Sequence, residues 1–164
     1  IEPQKKFGSL TLSYEDPSKL GSDRFVAMLG AIKHFPDKPL LVIDIGSAIT
    51  FDVLDKNGLH QGGLIMPGIS ALRGSFEKFK TSDLSLGLNS LASNTDDAWS
   101  FGTHAMMVSA INCQIKSFQS KFSDGVVSVC GGMAKDIKKE LPESIEFFDN
   151  LVLDGLESYS QSVG

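Results

Sequence analysis

The chain has 164 residues, enough for one domain or part of a larger one, and a domain of that size buries roughly two-thirds of its unfolded surface without needing staples. Its hydrophobic share of 41% is ordinary for a globular protein. The net charge is −5 and the 15 basic residues are scattered, which argues against a nucleic-acid partner, since phosphate contacts need clustered Lys and Arg. No apolar run approaches the length of a bilayer span, so no membrane partner is expected.

Residues 1–8 read as a polar lead-in, and residues 10–14 alternate like a short strand. Glu15-Asp16-Pro17 is a turn. Phe25, Met28, Leu29 and Ile32 then recur at helical spacing. This predicts a helix with Ser22 or Asp23 as its N-cap, ended by the two prolines between Phe35 and Pro39. Three strands follow, at 40–45, 48–54 and 59–66. In the second, Ile49, Phe51 and Val53 alternate with Thr50, Asp52 and Leu54, so one face is apolar and the other partly polar. Asn57-Gly58 is a strong hairpin signal, and the three strands are expected to form an antiparallel meander.

Ile69, Leu72, Phe76 and Phe79 mark another helix, and residues 84–94 a polar loop. Thr95 is expected to cap a long helix with Asp96 and Asp97 in its first turn. Its buried stripe reads as Phe101, Ala105, Val108, Ile111, Ile115 and Phe118. A short buried strand at 126–130 runs into Gly131-Gly132 and a helix through Ile137 and Leu141, and residues 147–153 read as a last strand. Antiparallel strands, helices and then a βαβ pattern predict an α/β fold with a mixed sheet covered by helices.

The stretch richest in chemistry is 41–68. Asp44 ends an apolar strand, where a carboxylate is costly unless it is paired or bound to a cation. It either caps the Gly46-Ser47 turn or serves as a cation or phosphate-magnesium ligand, and the residue alone leaves both open. Glycine gives the turn close approach to a phosphate, and Ser47 and Thr50 offer hydroxyls. Asp52 is a candidate second carboxylate but reads more simply as an exposed hairpin residue. Gly62-Gly63 through Pro67-Gly68 reads as a bulge followed by a helix start. Gly131-Gly132 after a buried strand suits either a turn or a flat surface for an adenine ring.

Leu20-Gly21-Ser22-Asp23-Arg24 places a base and a guanidinium fork at a helix start. Taken alone, an N-cap Asp beside a surface Arg explains it. His34, His60 and His104 lack metal-like spacing, and Trp99 reads as packing. Cys113 and Cys130 lack a CxxC spacing and read as buried inert thiols in a reducing cytoplasm.

In order and spacing these pieces resemble the type III pantothenate kinases of the actin-like, ribonuclease-H-like ATPase superfamily. Tyr14-x-x-Pro17-x-x-Leu20-Gly21-x-Asp23-Arg24 is similar to the family's substrate motif. Asp44-x-Gly46-Ser47-Ala48-x-Thr50-x-Asp52 resembles its second phosphate motif, with Ser47 where the family usually has Thr. Gly62-Gly63-x-Ile65-x-Pro67-Gly68 resembles the glycine motif that follows. Ser93-Asn94-Thr95 and Gly102 resemble a later substrate motif, and Gly131-Gly132 the adenosine motif.

The resemblance implies a ribonuclease-H-like mixed sheet and ATP-dependent phosphorylation of pantothenate, the entry step to coenzyme A. It implies Asp23 as proton acceptor, and Tyr14, Gly21, Ser22, Arg24 and Thr95 as pantothenate contacts. Gly46, Ser47, Gly131 and Gly132 would meet ATP with its Mg2+, and Asp44 a monovalent cation, K+ or NH4+. It further implies a cytoplasmic homodimer with the pantothenate site at the subunit interface.

The family's first phosphate motif, Asp-x-Gly-Asn-Thr, is not among these residues. The chain therefore reads as the C-terminal portion of such a kinase. Residues 1–38 would end the N-terminal half, and residues 39–164 would form the ribonuclease-H-like C-terminal half. The rival expectation is a non-catalytic regulatory protein on the same fold.

Overall fold

The computed structural model describes residues 1–79 and 91–163. In chain order the elements are β1 (Lys6–Phe7), β2 (Leu10–Thr11), α1 (Ser22–His34), β3 (Leu40–Ile45), β4 (Ala48–Leu54), β5 (His60–Pro67), α2 (Ile69–Gly74), α3 (Thr95–Lys121), β6 (Val126–Cys130), β7 (Glu146–Phe147) and α4 (Leu151–Val163). Short 3-10 turns occur at Pro17–Lys19, Glu77–Phe79 and Lys138–Glu140.

Strand β3 is a nearly unbroken apolar run, as suits a strand covered on both sides. β4 pairs with it antiparallel, with Leu40 opposite Leu54 and Asp44 opposite Thr50. β5 returns antiparallel to β4, which completes the expected meander. β6 runs parallel to β3, and β7 parallel to β6. The sheet order is β5-β4-β3-β6-β7, so β4 runs against its companions. This is the ribonuclease-H-like mixed sheet that the sequence led us to expect.

The two faces are covered separately. On one, Leu41, Ile43, Ile45, Ile49 and Phe51 pack with Met107, Ile111, Ile115 and Phe118 of α3. On the other, Leu40, Val42 and Leu54 pack with Phe25 to Ala31 of α1 and with Leu151 of α4. The period of two along β3 and β4 thus turns Asp44, Thr50 and Asp52 toward the α1 side. Helices α1 and α4 approach very closely. A Cβ at Gly30 would run into the Leu151 carbonyl, and one at Gly155 into the Val26 carbonyl. Lys33–Glu157 at 2.5 Å and His34–Asp154 at 2.8 Å bridge the same pair.

Several elements depart from expectation. The N-terminal lead-in contains β1, and the alternating segment after it keeps ladder pairing only at Leu10 and Thr11. Helix α1 is capped by Gly21, with no side-chain cap bond, so neither Ser22 nor Asp23 is its N-cap. Helix α3 is capped by Asn94, whose side chain accepts from the Asp97 amide at 2.9 Å, and Thr95 is the first helical residue. The α3 stripe holds at Ile111, Ile115 and Phe118. Nearer its start the helix turns Ser100, Thr103, His104 and Met107 inward, and leaves Phe101, Ala105 and Val108 half-buried.

The helix expected through Ile137 and Leu141 is a chain of tight turns instead, with Ala134, Asp136, Lys138 and Glu140 amides bonding three residues back. Gly131 at φ +101 cannot start a regular helix, and Pro142 stops the run. Strand β7 ends at Phe147, and Leu151, assigned to a strand from its apolar neighbours, opens α4. Part of the polar loop at 84–94 lies outside the described residues.

Candidate active site

The link between β3 and β4 is Gly46-Ser47, tied by the Gly46 amide to the Ala48 carbonyl at 2.9 Å and by the Gly68 amide to the Ser47 carbonyl at 3.0 Å. Gly68 lies so close that a Cβ there would strike both the Gly46 and Ser47 carbonyls. The turn is therefore locked against the start of α2, with Ser47 exposed. Asp44 sits half-buried just before it. Among the described residues no ion pair or side-chain hydrogen bond neutralises its carboxylate. Burial, and after it the negative charge of Asp23, hold the Asp44 carboxyl above the usual carboxylate range.

Gly131 lies directly over Asp44. A Cβ at this residue would collide with the Asp44 carboxylate and with the Ile45 backbone, so only glycine leaves the space open. Asp44, Cys130, Gly131 and Gly132 line one cleft of about 550 Å³ together with Lys135, Asp149, Asn150 and the start of α4. Lys135 and Asp149 pair across its rim at 2.9 Å. The sequence-derived ATP and cation residues Asp44, Gly131 and Gly132 therefore share a wall.

Asp23 stands exposed in the first turn of α1, and its carboxylate accepts from the Arg24 amide at 2.8 Å. Its charge is felt at Asp44, which brings the sheet-end carboxylate and the helix-start carboxylate into one electrostatic neighbourhood. Gly21 is closely overlain by the Asp23 side chain, and the Ser22 hydroxyl donates to the Ile1 carbonyl at 2.9 Å.

Arg24 is a buried residue and not the surface Arg that the sequence suggested. Its Nε and Nη2 donate to the two oxygens of Asp52 at 2.8 and 2.6 Å, and its Nη1 donates to the Tyr14 hydroxyl at 3.1 Å. Burial works against the Arg24 charge, but hydrogen bonds to Asp52 and its negative charge prevail and raise the guanidinium pKa further. Asp52 is correspondingly buried, which corrects its reading as an exposed hairpin residue. His60 is buried as well, bonded to Asp52 at 2.9 Å and to the Ser13 hydroxyl at 3.2 Å, with Tyr14 stacked over its ring. Sequence reasoning missed Ser13 and His60 as parts of this site and took Asp52 for an exposed residue, although the Asp44-to-Asp52 motif and the alternation that sets Asp52 on the strand face of Thr50 both pointed to it.

Thr95 is not gathered with the rest. It opens α3, on the sheet face opposite α1, and no hydrogen bond among the described residues joins it to Tyr14, Asp23 or Arg24. His34 pairs with Asp154, and the buried His104 pairs with Glu140 at 2.8 Å. Trp99 packs against Phe76 and Phe79, as expected for a packing residue. Cys130 is buried, its thiol pushed up to about 12 by burial and by Asp44, whereas Cys113 is exposed, contrary to expectation. Among the described residues no group of three or more His, Cys, Asp or Glu could hold a metal ion. No helix there is long and apolar enough to cross a membrane.

A mixed sheet of this order with a carboxylate, a locked glycine turn and a glycine-lined cleft at its central strand ends has the layout that a nucleotide phosphate and its counter-cation require. Residues 1–117 match the family model described as type III pantothenate kinase. The chain is 33% identical to the type III pantothenate kinase of Colwellia psychrerythraea, over 98% of this chain and 70% of that protein. It is 36% identical to that of Xanthomonas euvesicatoria, over 91% and 61%, and 32% identical to that of Albidiferax ferrireducens, over 90% and 60%. The chain belongs to the type III pantothenate kinase family. It spans about 60 to 70% of the length of these relatives. A solved Baf family protein from Campylobacter jejuni shares the fold, with a TM-score of 0.63 and 24% identity over 91% of this chain and 66% of that one.

Proposed function

We propose that the protein containing this chain transfers the γ-phosphoryl group of ATP to the primary hydroxyl of pantothenate, the entry step to coenzyme A, and that it does so in the cytoplasm. The observation that carries the reading is the Asp44 carboxylate at the end of β3, lying under Gly131 in the glycine-lined cleft, with the Asp23 carboxylate at the start of α1 near enough for its charge to be felt there. One carboxylate is exposed and available to a substrate hydroxyl. The other is half-buried, unneutralised and set beside a phosphate-type turn.

Phosphoryl transfer demands positioning and charge stabilisation more than covalent chemistry. Asp23 orients the pantothenate hydroxyl and accepts its proton as the new O–P bond forms and the bond to the β–γ bridging oxygen breaks. ADP and 4'-phosphopantothenate result. Ser22, the Gly21 backbone and Arg24 at the helix start, with Tyr14 bonded to Arg24, would surround the acceptor. Gly46 and Ser47 meet the phosphates, and Gly131 and Gly132 leave a flat wall for the adenosine. Asp44 would hold a monovalent cation, K+ or NH4+, which supplies positive charge beside phosphates that arrive with Mg2+. Its uncompensated carboxylate and the space kept open by Gly131 fit such an ion.

Residues 1–38 would then close the N-terminal half, and residues 39–164 would form the other. Thr95, on the far face of the sheet, supports a homodimer in which each pantothenate site takes its threonine from the neighbouring subunit. The test is an ADP-release assay on the full-length protein with ATP, Mg2+, pantothenate and K+ or NH4+. Turnover of pantothenate is expected. Absence of turnover, or exclusive turnover of a sugar, overturns the reading.

A further inference from the structure

We propose that Asp52, backed by His60 and Ser13, is a positioning residue that fixes Arg24 and Tyr14 for the substrate without touching the substrate itself. The inference rests on the reading of Arg24 and Tyr14 as pantothenate contacts. It goes further by assigning roles to three residues on the β4–β5 hairpin and the segment before α1.

The guanidinium of Arg24 has five N–H groups in a rigid plane. Three are already committed, those on Nε and Nη2 to Asp52 and one on Nη1 to Tyr14. What is left is one N–H each on Nη1 and Nη2, in a guanidinium plane that those bonds hold in place. An Arg on a free stem would lose rotamer freedom on meeting a carboxylate or carbonyl group of the substrate. Here the freedom is lost during folding, so the ligand meets a preorganised donor pair.

Asp52 is itself held. His60 contacts its Oδ1 at 2.9 Å, and Ser13 contacts the other ring nitrogen of His60 at 3.2 Å. The same imidazole stacks on Tyr14 with centroids 5.9 Å apart and planes 11° from parallel. Tyr14 is thus fixed at its hydroxyl by Arg24 and along its ring by His60. Strand β5 makes room for the arrangement. Gly63 lies opposite Asp52, and a Cβ there would strike Arg24 Nη2 and the Asp52 carboxylate. The side chains of Arg24 and Asp52 are 5% and 3% exposed. A buried ion pair is a poor source of stability compared with apolar packing, so its worth here lies in geometry.

The test uses the full-length protein with pantothenate and ATP varied in turn. Asp52→Asn keeps the shape but loses the charge. It is expected to raise KM for pantothenate roughly tenfold or more, with kcat changed less than about threefold and KM for ATP unmoved. His60→Gln, which can still donate to Asp52, should stay near wild type, while His60→Ala should raise KM for pantothenate several-fold. The Arg24 Nε–H signal in the NMR spectrum is expected to be protected from exchange in the wild type and exposed in Asp52→Asn. Lower thermal stability with unchanged KM for pantothenate, or equal rises in both KM values, overturns the inference. Should the wild type not turn over pantothenate, the functional reading fails separately, and an Arg24 signal still protected in Asp52→Asn overturns the positioning role on its own. If Asp52→Asn does not fold, equal behaviour of His60→Gln and His60→Ala does the same.

Discussion

Asp44 bears a cost that nothing among the described residues offsets. A carboxyl whose folded pKa is raised binds its proton more readily in the native state than in the unfolded chain, so stability falls as pH rises through the folded pKa. Asp44→Asn is therefore expected to be more stable than wild type at neutral pH, with the difference fading below about pH 4, where the unfolded carboxyl is protonated too. Urea unfolding midpoints across pH measure this, and a destabilised Asp44→Asn at neutral pH would contradict it. The opposite signature belongs to Asp23, which is exposed and, among the described residues, bonded only to its neighbour's amide. Asp23→Asn should leave the melting midpoint unmoved and cut kcat by about a hundredfold or more. The cysteines separate in the same manner. A thiol reagent followed by mass spectrometry should label Cys113 in the folded protein and reach Cys130 only on unfolding, because burial and Asp44 keep that thiol protonated.

At the level of elements, the local rules worked where one face of a segment was apolar and the turn chemistry was explicit. The meander at 40–67 was legible from alternation and Asn57-Gly58, and the core end of α3 from its 3.6-residue repeat. They failed where tertiary contacts overrode them. Helix α4 carries Gly155 mid-helix and opens on an apolar triplet, both of which argue against a helix. The glycine is there because α1 leaves no room for a side chain. Gly155→Ala, favourable by propensity, should then destabilise the protein by about 1–3 kcal/mol through overpacking against Val26, as read by denaturant unfolding. The candidate site follows the same logic. Asp23, Asp44 and the glycines were visible as motifs, but a buried Asp52–Arg24 pair joins residues 28 positions apart and leaves no local pattern.

For the whole molecule, the placement of α1 and α3 on opposite faces of the sheet makes the proposed sharing of Thr95 between two copies testable. In a two-fold dimer, mixing inactive Asp23→Asn with inactive Thr95→Ala leaves one intact site in each mixed pair, so random exchange should restore roughly a quarter of wild-type turnover. No recovery on mixing would place the threonine's role within one subunit or outside the reaction. The same division also sets how the protein tolerates change. The α3 side carries apolar packing against the sheet, while the α1 side carries Asp23, Arg24, Asp44 and Asp52 along with its share of the core. Substitutions under α3 should register as lost abundance and be rescued by compensating volume changes nearby. Those at the exposed or half-buried polar positions on the α1 side, Asp23 and Asp44, should register as lost turnover in a protein that still accumulates, while the apolar positions there behave like those under α3. A saturation library scored for both quantities would set the polar cluster apart from the apolar packing on both faces, and lineages would be free to rebuild the packing while the cluster stays frozen by its chemistry.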